Sequence, residues 1–230
     1  MKASKLFTAL LVSTLGTTAA LAQPQESPDT TTDTGFDHAV PQVNHAIELG
    51  VSTGYQQGAG KLGGNLGSLE DVAGPGGAIE VDAGYRILPQ LSVGLYGTYA
   101  QNAHGDHLAS NTDVLGATAG VQATFHARPD RSIDPWVSLG AGWKGLWLNP
   151  DHGKVTSLQG LELARLQVGA DYRVSKDVSI APVIGGSLSM FVSEDSPMTD
   201  SYTEINDKKV SFTGFAGLSG RFDVGGSRGK

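Results

Sequence analysis

The 230-residue sequence predicts an all-β protein, an eight-stranded antiparallel up-and-down barrel. Three observations predict this fold: apolar and polar residues alternate along eight segments, helical periodicity is almost absent, and the connections between segments are alternately long and short. The charged fraction of 17% is too low for a disordered chain. The absence of cysteine excludes a disulfide scaffold, a thiolate metal site and a lipid-anchored N-terminal cysteine.

The N-terminus has the features of a cleaved signal peptide, which we assign to residues 1–22. Lys2 and Lys5 form a basic start, an apolar run follows, and Ala20-Leu21-Ala22 matches the cleavage motif. We therefore expect an exported protein. Beyond this segment, no apolar run is long enough for a transmembrane helix, so only a closed barrel could cross a membrane.

The remaining chain divides into three parts. Residues 23–42 are rich in Pro, Thr and Asp, which predicts a flexible acidic leader. Residues 43–224 carry the alternating pattern and form the predicted barrel, and residues 225–230 form a C-terminal tail. The net charge of −7 argues against nucleic acid as a partner.

The first four segments each place apolar residues at every second position, opposite mainly Gly, Ser and Thr. The segments, with the ends of their apolar faces, are Val43–Tyr55 (Ile47 to Tyr55), Ala78–Leu88 (Ile79 to Ile87), Gln90–Gln101 (Leu91 to Tyr99) and Thr112–Ala127 (Leu115 to Phe125). Many of the 32 glycines fall on the opposite face, where a narrow barrel leaves little room for side chains.

The last four segments repeat the pattern with two irregularities. They are Asp134–Leu148 (Val137 to Trp147), Leu158–Val174 (Leu166 to Tyr172), Asp177–Val192 (Val178 to Met190) and Lys209–Val224 (Val210 to Phe222). Leu161 and Leu163 fall out of phase with Leu166, which predicts a bulge or a later strand start. Pro182 is awkward within a paired strand because it has no N–H to donate.

The connections distinguish the two ends of the predicted barrel. Four are long (56–77, 101–112, 148–157 and 193–208), whereas the turns at 88–90 and 175–177 are tight and the one at 128–133 is only slightly longer. Short periplasmic turns and four longer outer loops are typical of outer-membrane barrels. The Gly-rich connection 56–77 lacks the spacing of a phosphate-binding loop and predicts a flexible, exposed loop.

Ten charged residues are predicted to form a network on the inner face. Small residues with charges of both signs suit the lumen of a narrow barrel, where arginine can pair with carboxylates. The network consists of Glu48, Glu80, Asp82, Arg86, Lys144, Arg165, Asp171, Arg173, Arg221 and Asp223. We expect these side chains to fill the lumen rather than line a narrow conduit. We also expect replacement of Arg86 or Arg173 to destabilise the fold.

Aromatic residues on the apolar face are predicted to form two girdles, one at each membrane interface. The girdle at the short turns consists of Tyr85, Phe125, Tyr172 and Phe222. The girdle at the long loops consists of Tyr55, Tyr99, Trp143 and Trp147. Between them the apolar face is aliphatic over about the 9–11 residues that a tilted strand needs to cross a bilayer. This pattern predicts that the apolar face meets lipid.

With these features, residues 43–224 resemble the small OmpA/OmpX-like outer-membrane β-barrels of Gram-negative bacteria. The resemblance rests on the eight strands, the loop asymmetry, and the Gly-Tyr-Arg and Asp-Tyr-Arg motifs at 84–86 and 171–173. It also rests on GFAGLSGRF at 214–222, which looks like the signal that such proteins present to the barrel-insertion machinery. The resemblance implies a monomer in the outer membrane, with its lipids as partners. One departure is the tail DVGGSRGK, which follows Phe222, where such chains usually end on an aromatic residue.

No motif indicates a cofactor, a metal or catalysis. His104, Asp106 and His107 lie in one long loop but match no standard metal-site spacing, and Asp151-His152 is a weaker candidate. Ser, His and Asp residues occur in loops without a nucleophile motif. We therefore expect a non-catalytic role in envelope support or surface contact. The alternatives are a soluble exported barrel that binds a small apolar ligand, a narrow pore, and a lipid-modifying enzyme.

Overall fold

Eight long strands form one closed antiparallel barrel, as the sequence predicts. They are β1 (Ile47–Ala59), β2 (Ala73–Leu88), β3 (Leu91–His104), β4 (Thr112–His126), β5 (Ile133–Pro150), β6 (Thr156–Arg173), β7 (Val178–Asp195) and β8 (Val210–Val224). Each strand pairs with the next along the chain, and β8 pairs with both β7 and β1. This last pairing closes the sheet.

The computed structural model describes residues 35–64, 66–105, 108, 111–151, 155–195 and 202–228. The predicted signal peptide and residues 23–34 of the predicted leader lie outside this part. Three short elements accompany the barrel: helix α1 (Leu69–Val72), a ribbon of Val43–Asn44 with Ser227–Arg228, and Thr203–Glu204 paired to the end of β7. No helix in the described residues is long and apolar enough to span a membrane.

Six of the eight strands extend further toward the long loops than the alternation predicts, the exceptions being β4 and β8. The connections at that end are 60–72, 105–111, 151–155 and 196–209, and those at the other end are 89–90, 127–132 and 174–177. Strand β2, for example, begins at Ala73 rather than Ala78. The ladders continue because paired strands satisfy their backbone hydrogen bonds even where the apolar pattern has ended.

Two predicted irregularities appear in the ladders. The register shifts between Glu162 and Ala164 in β6, so that Leu161 and Leu163 both face outward, which confirms the predicted bulge. Pro182 stays within β7, opposite Leu218 of β8. The ladder between β6 and β7 passes over Pro182 without pairing it, in keeping with its missing N–H.

The two faces of the barrel have opposite chemistry, and the apolar face is the outer one. Leu95 and Val121 are 64% and 60% exposed, whereas Glu48 is 2% exposed. Large apolar residues on the outside of all eight strands are exposed in the same way. Glycines make the narrow lumen possible, since a Cβ on Gly120 would lie 2.6 Å from the hydroxyl of inward-facing Tyr96.

Candidate functional site: the barrel lumen

The ten charged residues of the predicted network lie at different levels of the inner face. Those in the half nearer the short turns are Glu48, Arg86, Asp171, Arg221 and Asp223, with Arg173 at the rim; those nearer the middle are Glu80, Asp82, Lys144 and Arg165. Most of them are buried; Asp82, Lys144, Arg173 and Asp223 are half-buried. Two clusters result, which we call the lower cluster (short-turn half) and the middle cluster.

Arg86 stands at the centre of the lower cluster. Its guanidinium forms an ion pair with Glu48 and lies 3.6 Å from a carboxylate oxygen of Asp223. It also donates a hydrogen bond of 3.2 Å to the carbonyl of Pro89 in the first short turn. Since the side chain is 2% exposed, protein groups rather than water compensate its charge.

Arg221 joins a second set of partners in the lower cluster. Its NH1 lies 3.0 Å from Asp171, and its Nε lies 3.6 Å from Glu48. The guanidinium stacks 4.5 Å from the ring centroid of Trp136, whose Nε1 donates a hydrogen bond of 2.9 Å to Asp171. Glu48 therefore links the Arg86 and Arg221 groups.

His126 and Asp134 complete the lower cluster, and neither was predicted. Nδ1 of His126 is 2.8 Å from Asp134, and Nε2 is 3.4 Å from Glu48. Asp134 also accepts a 2.8 Å hydrogen bond from the backbone N–H of Arg128, which ties the turn 127–132 to the cluster. Continuing the alternation of β4 two residues past Thr124 would have placed His126 on the inner face.

Arg173 lies at the edge of this network, where its charge still acts on Asp223. It lies half-buried at the short-turn rim, donates a 3.4 Å hydrogen bond to the carbonyl of Pro41, and forms no ion pair with any described carboxylate. The alternation places it correctly on the inner face, but β6 ends there, so the side chain reaches the barrel opening. The expectation that replacing Arg173 destabilises the fold stays a prediction, and its more exposed position indicates a smaller effect than for Arg86.

The middle cluster centres on Arg165. Its guanidinium forms an ion pair with Glu80, donates a 2.9 Å hydrogen bond to Gln122, and lies 4.1 Å from the ring centroid of Tyr96. The Tyr96 hydroxyl donates to Glu162. The sequence analysis did not place Tyr96 or Glu162 in the lumen. Tyr96 is an aromatic residue on the otherwise polar face, and the bulge in β6 shifts the alternation that would have assigned Glu162 to the inner face.

We expect Tyr96→Phe to lower the free energy of unfolding by about 1–3 kcal/mol, because buried Glu162 loses its hydrogen-bond donor. Tyr99→Phe is the matched control, since Tyr99 faces outward on the same strand. We expect it to change stability by less than about 0.5 kcal/mol. Urea unfolding of both variants in detergent micelles measures the difference, and equal effects would contradict the assignment.

A small cavity of about 60 Å³ lies beside the middle cluster. Glu80, Glu162, Lys144 and Arg165 all contribute to its wall. Lys144 donates a 2.7 Å hydrogen bond to the Thr213 hydroxyl and forms no ion pair with any described residue. Such a volume has room for a few water molecules.

An apolar cap closes the lumen at the long-loop end. It consists of Leu62, Leu69, Val72, Ala73, Val114, Leu146, Leu158, Phe191 and Ile205. Helix α1 supplies two of these residues and is fixed by a capping box, in which Ser68 and Asp71 each bond the other's backbone N–H. The expectation of a flexible, exposed Gly-rich loop is wrong for its apolar residues, because the leucines and the valine within 60–72 pack into the barrel mouth.

The chain before β1 covers the opposite end of the barrel. Ala39 pairs with Arg131, and Ser132 donates a hydrogen bond of 2.9 Å to the carbonyl of Phe36. Asp37 lies between Arg128 and Arg131. Partial burial acts to raise the pKa of Asp37, but the hydrogen bond and charge of Arg128, together with the charge of Arg131, outweigh it and hold the pKa below its usual value.

Within the described part of the chain, one buried group has donor atoms close enough to consider a metal ion. It consists of His126, Asp134 and Asp171, whose ligand atoms all lie within 4.8 Å of one another. Every one of these residues already has protein partners: Asp171 accepts from Trp136 and Arg221, and His126 contacts Asp134. The cationic guanidinium beside the group also disfavours a metal ion. Of the two loop candidates in the sequence, Asp106 and His107 of the first and His152 of the second lie outside the described residues.

The predicted girdle aromatics all lie on the outer face. Tyr85, Phe125, Tyr172 and Phe222 occur near the short turns and are exposed; Tyr55, Tyr99 and Trp143 occur nearer the long loops and are also exposed, with Trp147 half-buried. Trp143 and Trp147 pack together with ring centroids 5.9 Å apart. Trp136, Tyr96 and Phe191 face inward instead, so aromatic residues also fill the lumen.

Comparison with solved structures relates this architecture to known barrels. Neisserial surface protein A is 16% identical, with 76% of this chain and 96% of that chain covered and a TM-score of 0.52. The chain has the fold of a small outer-membrane barrel. OprG from Pseudomonas aeruginosa is 12% identical, with 79% and 98% covered and a TM-score of 0.48. No protein-family model and no curated protein matches the sequence.

Proposed function

We propose that this protein is a monomeric, non-catalytic barrel of the bacterial outer membrane that does not conduct and holds its outer loops at the cell surface. The outward apolar face of all eight strands carries the proposal. A water-soluble barrel that binds an apolar ligand requires the reverse arrangement, with bulky apolar residues lining a cavity. Lipids of the outer membrane would cover the apolar face, and the last strand would be the part read by the insertion machinery.

Three barriers in series support the proposed lack of conduction. The apolar cap closes the long-loop end, the middle and lower clusters cross the lumen, and residues 35–46 cover the short-turn end. The cavity of about 60 Å³ lies between the first two barriers. A porin-like conduit would need a continuous water-filled path past all three.

The test combines folding with electrical recording. The mature chain is expected to fold only with detergent or lipid vesicles, and to migrate differently on gels before and after boiling. The same preparation is expected to give no conductance steps in planar bilayers. Folding in plain buffer would contradict the membrane location, whereas regular conductance steps from a folded, heat-modifiable barrel would contradict only the closed lumen.

A further inference from the structure

The pairing between the first and last strands does not stop at the end of the barrel. The β1–β8 ladder ends with Ile47 opposite Val224. After a gap of two residues in each segment, 45–46 and 225–226, pairing resumes between residues 43–44 and 227–228 in the same register. These terminal segments, 43–46 and 225–228, thus form a continuation of the barrel seam, which we call the closure latch.

Backbone geometry turns the closure latch away from the barrel wall. His45, Gly225 and Gly226 have positive φ angles of 54°, 74° and 81°. Gly226 has no space for a side chain, since a Cβ would lie 2.5 Å from the carbonyl oxygen of Asn44 and 2.8 Å from the Cβ of Ala46. The bend therefore depends on glycine for both conformation and close approach.

The bent seam lies against the groups at the short-turn end of the lumen. Val43 and Ala46 are completely buried. The N–H of His45 donates to the carbonyl of Arg86, and the N–H of Arg86 donates to the carbonyl of Ala46, at 3.1 and 2.9 Å. The backbone that carries the central arginine of the lower cluster is thus held by the closure latch.

The end of the latch reaches across to the turn between β6 and β7. Arg228 donates a hydrogen bond of 2.7 Å to the carbonyl of Lys176 and forms an ion pair with Asp177. The N–H of Asp223 donates a 2.9 Å hydrogen bond to the carbonyl of Asp177. The tail that extends beyond Phe222 therefore has specific partners on three parts of the chain: the segment before β1, the end of β2 and the β6–β7 turn.

We propose that the closure latch is a conformational lock that forms after β1 and β8 pair, seals the short-turn mouth and slows opening of the seam. Its two halves flank the first and the last strand of the barrel, and only closure of the barrel brings them together. The continuous register indicates that the latch forms after the strands pair. Residues 43–44 come within reach of residues 227–228 only once Ile47 lies opposite Val224. This inference concerns the seam and does not depend on the proposed surface role.

A pair of glycine substitutions tests the lock in the mature, full-length chain. Gly226→Ala is expected to displace the latch, whereas a Cβ on Gly220, in the last part of β8, would meet no atom within 4 Å. We expect Gly226→Ala to raise the unfolding rate in urea about tenfold with little change in the folding rate, since the latch forms late. Gly220→Ala is expected to leave the unfolding rate within about twofold. Equal rates for the two variants would overturn the proposal.

Cysteine labelling tests the seal directly, because the chain has no native cysteine. The thiol introduced by Ala46→Cys is expected to react with a water-soluble maleimide at least about tenfold faster when the chain also carries Gly226→Ala, or is truncated after Val224. Val174→Cys, at an exposed site, is expected to react equally in all backgrounds. Unchanged labelling of Ala46→Cys, or failure of both latch variants to form a heat-modifiable barrel, would overturn the lock as a late-forming element.

Discussion

Arg86→Ala is expected to lower the free energy of unfolding by about 3–5 kcal/mol, the usual cost of breaking a buried ion pair by removing one partner. The substitution removes the guanidinium that pairs with Glu48 and lies 3.6 Å from Asp223. Glu48 keeps contacts with Arg221 and His126 at 3.6 and 3.4 Å. Those groups are shared with other carboxylates, so we expect them to compensate only in part. Urea unfolding in detergent micelles measures the loss.

Arg173→Ala is the matched control for Arg86→Ala. Both residues follow a tyrosine at the short-turn end of a strand, so the sequence alone suggests equal roles. The structure places Arg173 at the rim, where its hydrogen bond to a described residue, the carbonyl of Pro41, is 3.4 Å long. We expect its replacement to cost less than about 1 kcal/mol. Equal losses for the two variants would contradict the assignment of Arg86 as the centre of the lower cluster.

Val121→Arg is expected to lower the free energy of unfolding in lipid vesicles by about 2–4 kcal/mol, the range for arginine on the lipid face at mid-membrane depth. Val121 is 60% exposed on the outer face of β4. It lies midway between Phe125 and Ala117, and Ala117 pairs with Tyr99 of the other girdle. An arginine guanidinium at this depth would be transferred from water into the hydrocarbon core of the bilayer.

Val155→Arg is the matched control for this second prediction. Val155 is 49% exposed and belongs to the third long loop, outside the apolar band. We expect its replacement to change stability by less than about 0.5 kcal/mol, as is usual for exposed sites in water. If Val121→Arg were equally harmless, the outer face would meet water rather than lipid.

The barrel itself follows from the sequence because it depends on a local signal. Alternation with a period of two shows which residues share a face, and the lengths of the connections separate the two ends. The bulge near Glu162 was also visible as a break in that alternation, through Leu161 and Leu163. These features need only neighbouring residues along one strand.

The site is less predictable because its contacts join distant strands. Alternation places Arg86 and Arg173 on the inner face but does not show that one is enclosed and the other at the rim. His126 pairs with Asp134 across a turn, and Trp136, for which the sequence predicts no role, fills the lumen. Only the three-dimensional arrangement shows which polar groups meet.

The apolar cap and the closure latch could not be predicted from the sequence. Leu62, Leu69 and Val72 stand in a Gly-rich stretch that resembles a flexible linker. Yet they are buried together with apolar residues of β2, β4, β5, β6 and β7 and with Ile205. The latch combines residues from both ends of the barrel domain in a register that continues the seam. Neither feature has a local pattern, because each exists only once the barrel has closed.

Quenching of tryptophan fluorescence by brominated lipids tests the central claim, that the apolar face meets lipid and the polar face lines the lumen. Three tryptophans are present, and Trp136 faces inward while Trp143 faces outward. One variant carries Trp136→Phe with Trp147→Phe, and the other carries Trp143→Phe with Trp147→Phe. In vesicles of brominated phospholipid, we expect strong quenching of Trp143 in the first and little quenching of Trp136 in the second. Stronger quenching of Trp136 than of Trp143, or no quenching of either, would contradict the claim.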